Sequence, residues 1–157
     1  MITIRKFKRA DTKTVAALVA RTYEQFCSDE GNPKAVDRYI NYFSAKTPDR
    51  LKELEERFAN AEIIYVALNG IKIVGVVRGS RHRVSNLFVD GCCHRQGIGK
   101  RLMKMFEASA KQKGSEYIKI RASIYADKFY RRLGYKKTTG QRMFHGLKIQ
   151  PLKKTLI

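Results

Sequence analysis

Apolar residues recur along this chain with two spacings, every second residue and every third or fourth, and the switches between them mark out the elements. Ile2 and Ile4 alternate with polar neighbours and predict an opening strand that reaches Lys6 and Phe7. Asp11 reads as the N-cap of a helix whose positions Val15, Leu18, Val19, Thr22 and Phe26 fall at helical spacing, and Gly31-Asn32-Pro33 breaks it. A second helix is expected over 35–43, with Val36, Tyr39, Ile40 and Phe43 on one face. Thr47-Pro48, a capping residue followed by proline at the first helical position, opens a third through Leu51, Leu54 and Phe58. The runs 63–68 and 71–77 flank Asn69-Gly70 and predict a hairpin, with Gly75 marking a bulge or a close backbone approach. A strand over 84–89 follows. The helix over 97–113 turns Ile98, Leu102, Phe106 and Ala110 to the core and ends at Gly114. A strand over 117–122, a helix over 126–133 and one or two strands in 135–156 complete the order β-α-α-α-β-β-β-α-β-α-β-β. No repeat, linker or low-complexity segment interrupts it.

Length and composition narrow the class. A chain of 157 residues with 43% hydrophobic content reads as one domain over 1–157; at that size about 68–70% of the unfolded surface can be buried. No run approaches the roughly 20 apolar residues that span a bilayer. The amino terminus starts directly on strand-like alternation without an apolar signal core, so the expectation is a cytoplasmic protein with no membrane partner. Cys27, Cys92 and Cys93 are too few for a disulfide framework, and Cys92-Cys93-His94 lacks the second spaced pair that a zinc site needs, so no metal is expected. The net charge of +19 favours contact with polyanions. Its lysines and arginines are spread through every element, and no single strand interleaves them with aromatic residues as single-strand RNA platforms do.

The stretch 87–102 carries the chemistry. A strand runs into a glycine-containing turn and then a helix, which aims backbone N–H groups and the positive end of a helix dipole at one spot, an arrangement suited to phosphate. The dinucleotide fingerprint is excluded, because Leu102 stands where its third glycine belongs. The Walker-type loop is excluded too: Gly91 and Gly97 are one residue too far apart, and Arg101 follows Gly99-Lys100. The remaining spacing, Arg95-Gln96-Gly97-Ile98-Gly99, resembles the pyrophosphate loop of the GNAT superfamily of acyl-CoA-dependent N-acetyltransferases. Residues 121–135 resemble its second signature, a strand end followed by A-x-x-F-Y-x-x-L-G-[FY], here from Ala126 through Phe129, Tyr130, Leu133 and Gly134 to Tyr135. The likeness covers nearly the whole chain and is weakest over 30–60.

The resemblance implies an α/β (in some schemes α+β) three-layer fold, a mixed, mostly antiparallel sheet of six or seven strands between four or five helices. It implies attack of a small-molecule or protein amine on the thioester of acetyl-CoA. The N–H groups from Arg95 through Gln96, Gly97, Ile98 and Gly99 to Lys100 would hold the pyrophosphate of coenzyme A, with Arg95, Lys100 and Arg101 adding charge. His94 stands where the family usually has Gln or Arg, and it keeps a hydrogen-bond donor. The main chain of Leu87, Phe88 and Val89 would pair with the pantetheine amides, and the Val89 N–H would face the thioester oxygen. Tyr130 takes the place of the family's tyrosine acid, although Ala126, Phe129, Tyr130 and Leu133 also form an ordinary helical core stripe. Ser123 stands where Asn or Ser often holds the cofactor, with a strand-end cap as its plainer role. The acceptor is expected beside Tyr23, Phe26, Tyr39 and Tyr42. The base stays open: Ser85 and Asn86 occupy the strand where glutamate is common, which leaves Asp29, Glu30 or a water chain. The competing expectation is a basic nucleic-acid- or ribosome-binding protein on the same scaffold, with weak or no catalysis. Either a monomer or a homodimer fits.

Overall fold

The computed structural model describes residues 1–157. Along the chain run β1 (Ile2–Lys6), α1 (Thr12–Cys27), α2 (Pro33–Ser44), α3 (Pro48–Ala59), β2 (Ile63–Asn69), β3 (Lys72–Ser80), β4 (Arg83–Val89), α4 (Ile98–Gln112), β5 (Tyr117–Ala122), α5 (Asp127–Arg132), β6 (Lys136–Lys137), β7 (Arg142–Phe144) and β8 (Leu147–Thr155). The sheet order is β1-β2-β3-β4-β5-β8-β6, with β7 paired to β8. Only β4 and β5 run parallel; the other pairings are antiparallel.

Local chemistry sets the helix starts. Asn32 and Thr47 accept hydrogen bonds from the N–H groups of Lys34 (2.9 Å) and Arg50 (3.2 Å), each with proline at the next position. Asp11 acts differently from the expected N-cap. Its backbone is already helical (φ −80°, ψ −10°), and its carboxylate accepts the Lys8 N–H at 2.8 Å and both guanidinium branches of Arg5 at 2.7 and 3.0 Å. It therefore locks the turn that leads into α1.

One core lies between the sheet and α1, α2 and α3, around Leu18, Val19, Leu54, Phe58, Val66 and Val76. The other lies on the opposite face beneath α4 and α5, around Val74, Leu102, Phe106, Ile118, Ile120 and Leu152. Each such side chain contributes about 1.5–3 kcal/mol on full burial. No helix is long and apolar enough to cross a membrane.

Eight strands form, one more than the upper expectation. The excess lies in the tail, where β7 and β8 meet through His145-Gly146, both with left-handed φ (51° and 83°), the geometry of a two-residue hairpin turn. At the first hairpin the paired residues are Asn69 and Lys72, so the turn is Gly70-Ile71, with Gly70 at φ 64°, one position later than the Asn-Gly reading. Gly75 meets both of its expectations: Val74 bulges between the pairs Ala67–Gly75 and Leu68–Ile73, and a Cβ on Gly75 would stand 3.1 Å from Leu102.

The irregularity that shapes the site is in β4. Its register with β3 passes from Arg78–Asn86 to Gly79–Val84, leaving Ser85 as a bulge. The bulge reverses the faces. Val84 packs under α4, while Asn86 bonds Tyr39 of α2 and Phe88 packs toward α1 and α2. Pairing of β4 with β5 ends after Arg83–Lys119 and Val84–Ile120, and beyond that point the two strands part.

Candidate active site

The parting of β4 and β5 leaves main-chain groups without a strand partner. The Asp90 N–H bonds the Val74 carbonyl at 2.8 Å, which fixes the alternation along β4. Phe88 and Asp90 bond toward β3, and Leu87 and Val89 direct their N–H and C=O groups into the gap. The Val89 carbonyl accepts from His94 Nε2 at 2.6 Å. Its N–H remains free on the wall of a cavity of about 540 Å³.

Leu87, Phe88, Val89, His94, Arg95 and Gly97 line this cavity, as do Ile98, Gly99, Lys100, Ser123, Phe26 and Tyr130. The loop at its mouth bends through two left-handed residues, Arg95 (φ 63°) and Gly97 (φ 77°), before α4 begins with no acidic residue in its first turn. Left-handed turns of this kind together with a helix start gather N–H donors into an anion-binding concavity. The two glycines have different reasons. A Cβ on Gly97 would meet nothing within 4 Å, so its requirement is the backbone conformation; a Cβ on Gly99 would stand 3.1 Å from the Phe129 ring. Lys128 and Arg132, one turn apart on α5, join Arg95 and Lys100 in lining the cavity. This donor set and charge, beside the gap-facing main-chain groups of Leu87 and Val89, fit a phosphorylated cofactor with an amide-bearing arm. Gln96 and Arg101 lie outside the lining, and Arg101 donates to the Ile2 carbonyl at 3.1 Å.

Tyr130, Ser123, Cys27 and Thr22 also line this cavity. Tyr130 is buried, 4% exposed, and packs edge-on against Phe129 and Tyr135, as a core stripe would. Its hydroxyl is bonded by no group of the chain, and burial pushes its pKa above the ordinary tyrosine value. Burial likewise pushes the Cys27 thiol up to about 12. Ser123 Oγ accepts the Ala126 N–H at 3.2 Å, capping the turn into α5. Thr22 Oγ1 is buried without a hydrogen-bond partner, on a residue that lines the cavity. Buried polar atoms are rarely left so.

The residues expected around the acceptor divide. Phe26 lines the cavity, its ring stacked against those of His94 and Tyr125, each at 4.7 Å, with those two rings themselves 6.3 Å apart. Tyr23 and Tyr39 stack on each other at 4.2 Å and lie outside the lining. Tyr39 accepts from Asn86, which in turn accepts from the buried Arg78. Tyr42 accepts from Arg57 at 2.9 Å, away from the cavity. Glu30 is buried behind the lining. Its two oxygens accept the N–H groups of Ile124 (2.7 Å) and Tyr125 (3.0 Å), and burial nevertheless holds its carboxyl above the usual carboxylate range. It pins the β5–α5 loop to the α1–α2 connection. Sequence reasoning missed Thr22, Cys27, Cys93, Tyr125, Lys128 and Arg132 as cavity residues. A hydroxyl within the apolar stripe of α1 was the available signal for Thr22.

Comparison with known proteins identifies the family and the fold. The family model for the acetyltransferase (GNAT) domain matches residues 23–156. The chain is 22% identical over 142 residues to a protein of Escherichia coli (strain K12) described as uncharacterized N-acetyltransferase YafP, covering 90% of this chain and 86% of that one. Its fold is similar to a GCN5-related N-acetyltransferase from Rhodopseudomonas palustris (TM-score 0.83, 18% identity, 98% and 95% of the two chains). It is also similar to the PaiA N-acetyltransferase of Thermoplasma acidophilum, solved in complex with coenzyme A (TM-score 0.76, 17% identity, 99% of each chain). With 134 consecutive residues inside the family model, this chain belongs to the GNAT family of acyl-CoA-dependent N-acetyltransferases.

Proposed function

We propose that this chain, as one cytoplasmic domain over 1–157 acting as a monomer or homodimer, transfers the acetyl group of acetyl-CoA directly to a primary amine of a small molecule or protein, with Tyr130 as general acid. The observation that carries the reading is the unpartnered Tyr130 hydroxyl in the same cavity as the free Val89 N–H and the glycine loop.

When bound, acetyl-CoA supplies the activated acyl carbonyl. The N–H groups from Arg95 to Lys100, with the side chains of Arg95, Lys100, Lys128 and Arg132, hold its pyrophosphate. The gap-facing main chain of Leu87 and Val89 pairs with its amide-bearing arm. The Val89 N–H opposes negative charge growing on the acyl oxygen; removing one such donor elsewhere costs about 3–4 kcal/mol. Thr22 Oγ1 is free to bond a reactant from the α1 side. Tyr130 keeps its proton at the hydroxyl until a thiolate leaves. Burial raises the pKa of a tyrosine and of a thiol in the same cavity together, so the ordinary values near 10 and 8.5 stay close enough for transfer. Glu30 is engaged by two backbone N–H groups, so we assign it to holding the loop and leave deprotonation of the ammonium to water in the cavity.

Tyr130→Phe should lower kcat about 100-fold while the acetyl-CoA Kd by calorimetry stays within a factor of about two. Because burial raises the Tyr130 pKa, the acid stays protonated with rising pH, and kcat should show no falling limb below about pH 10. An unchanged rate in the variant removes Tyr130 from this role, and no binding of acetyl-CoA at micromolar concentration overturns the whole reading.

A further inference from the structure

Four cations stand directly opposite one another across the C-terminal half of the sheet. Arg83 of β4 pairs in register with Lys119 of β5, Lys119 with Lys153 of β8, and Lys153 with Lys136 of β6. At about 4.8 Å per strand the row spans roughly 15 Å. Arg121 lies two residues further along β5 on the same face, its guanidinium 4.0 Å over the Phe144 ring. None of the five takes part in an ion pair. Like charges directly opposite destabilise a sheet, so folding alone gives no reason for a row of four without a carboxylate.

The face is open. Ile118, Ile120 and Ala122 are buried on the α4 side, while Lys119, Arg121 and Lys153 are exposed on the other. One end of the row borders a polar depression of about 440 Å³ lined by Lys136, Lys137, Thr138, Lys153 and Lys154, with no apolar side chain. Aromatic rings accompany the cations. Lys153 and Lys119 lie 4.8 and 5.6 Å from the Tyr117 ring, and the exposed His82 ring stacks on Tyr117 at 4.8 Å. The interleaving of cations and aromatics that no single strand provides is assembled here across strands.

We propose that this face docks single-stranded nucleic acid, its phosphates along the row Arg83–Lys119–Lys153–Lys136 and its bases against His82–Tyr117 and Phe144. A line of unpaired cations beside the exposed His82 ring and the half-buried Tyr117 and Phe144 rings matches a chain of phosphates carrying stackable bases. An acidic polypeptide is matched less well, because the edge strand β6 has only two residues for main-chain pairing. The row lies outside the lining of the 540 Å³ cavity, so docking is independent of acetyl transfer.

Fluorescence anisotropy with a labelled mixed-sequence RNA of about 16 nucleotides tests the proposal. Four phosphate contacts predict a log K against log salt slope near −3 for a single strand. The variant Lys119→Gln/Lys153→Gln should lose at least about tenfold in affinity near 100 mM KCl and flatten the slope by about 1.4. The control Lys52→Gln/Lys104→Gln removes the same charge from α3 and α4 and should lose no more than about twofold. Calorimetry with acetyl-CoA should give equal affinities for all three proteins, which also certifies folding of the variants. Equal losses in both variants, or no RNA binding near 50 mM KCl, overturn the proposal. Displacement of the RNA by polyglutamate at lower concentration than by unlabelled RNA overturns it in favour of an acidic polypeptide.

Discussion

Gly97 and Gly99 look interchangeable in the sequence, two glycines of one loop whose missing Cβ atoms suit a phosphate. Their surroundings separate them. Gly97 sits at φ 77° with open space where a side chain would go, whereas Gly99 faces the Phe129 ring at 3.1 Å. Substitution at Gly97 therefore costs backbone strain of about 1–2 kcal/mol, and nothing nearby can yield to relieve it. Substitution at Gly99 pushes on a side chain that can be removed. Both Gly97→Val and Gly99→Val should weaken acetyl-CoA binding by about tenfold or more. Adding Phe129→Leu should restore much of the loss for Gly99→Val and none for Gly97→Val, a coupling that calorimetry on the two double-mutant cycles would measure. Rescue of both, or of neither, contradicts the distinction. Tyr130 and Thr22 teach the same lesson. Each fits a helical apolar stripe, and only the place of its oxygen in the cavity marks it out.

At the scale of elements, the helix starts at Asn32-Pro33 and Thr47-Pro48 were legible because capping is decided within a few residues. The β4 bulge was harder to read, although a trace of it exists: apolar residues stand at Val84, then at Leu87 and Val89, a slip of phase across Ser85 and Asn86. Whether such a slip becomes a bulge depends on partners distant in sequence, here Arg78 and Gly79 of β3. Strand β6 has two lysines and no pattern, so pairing with β8 alone defines it. Asp11 shows a local signal put to a different local use. The Arg5 guanidinium bonded to it holds its carboxyl below the usual range, with the Lys8 N–H adding to the effect against the cost of burial. A folded-state pKa below the unfolded value of about 3.9 contributes stability above that pH and loses it as pH falls through the folded value. Asp11→Asn should therefore cost about 1 kcal/mol at neutral pH, and the gap to the unsubstituted protein should narrow as pH falls below about 4. Urea melts across that range check it; a gap independent of pH would mean that the carboxylate charge contributes nothing.

For the whole molecule, the decisive quantity is the imbalance of 33 basic against 14 acidic residues. The sequence made the imbalance visible but not its arrangement, because residues 83, 119, 136 and 153 become neighbours only through the sheet order β4-β5-β8-β6. Like charge in excess has two consequences that respond to salt in opposite directions. Self-repulsion disfavours the compact state, so screening it should stabilise the fold. Attraction steers anionic partners to the surface, so screening it should slow their arrival. Raising KCl from about 20 to 300 mM, which shortens the screening length from beyond 20 Å to below 8 Å, should raise Tm by a few degrees. Over the same range the acetyl-CoA association rate in stopped flow should fall several-fold. The eight resolved ion pairs act against the first effect, since salt weakens them too. Most of them lie at the surface, Arg5–Asp11 with its buried carboxylate apart, which limits each of those to a fraction of a kcal/mol, and the unpaired majority of cations should decide the sign. A Tm that falls with salt would mean that the paired charges outweigh the excess; a salt effect confined to dissociation would locate the attraction in the cofactor loop instead of the molecule's field.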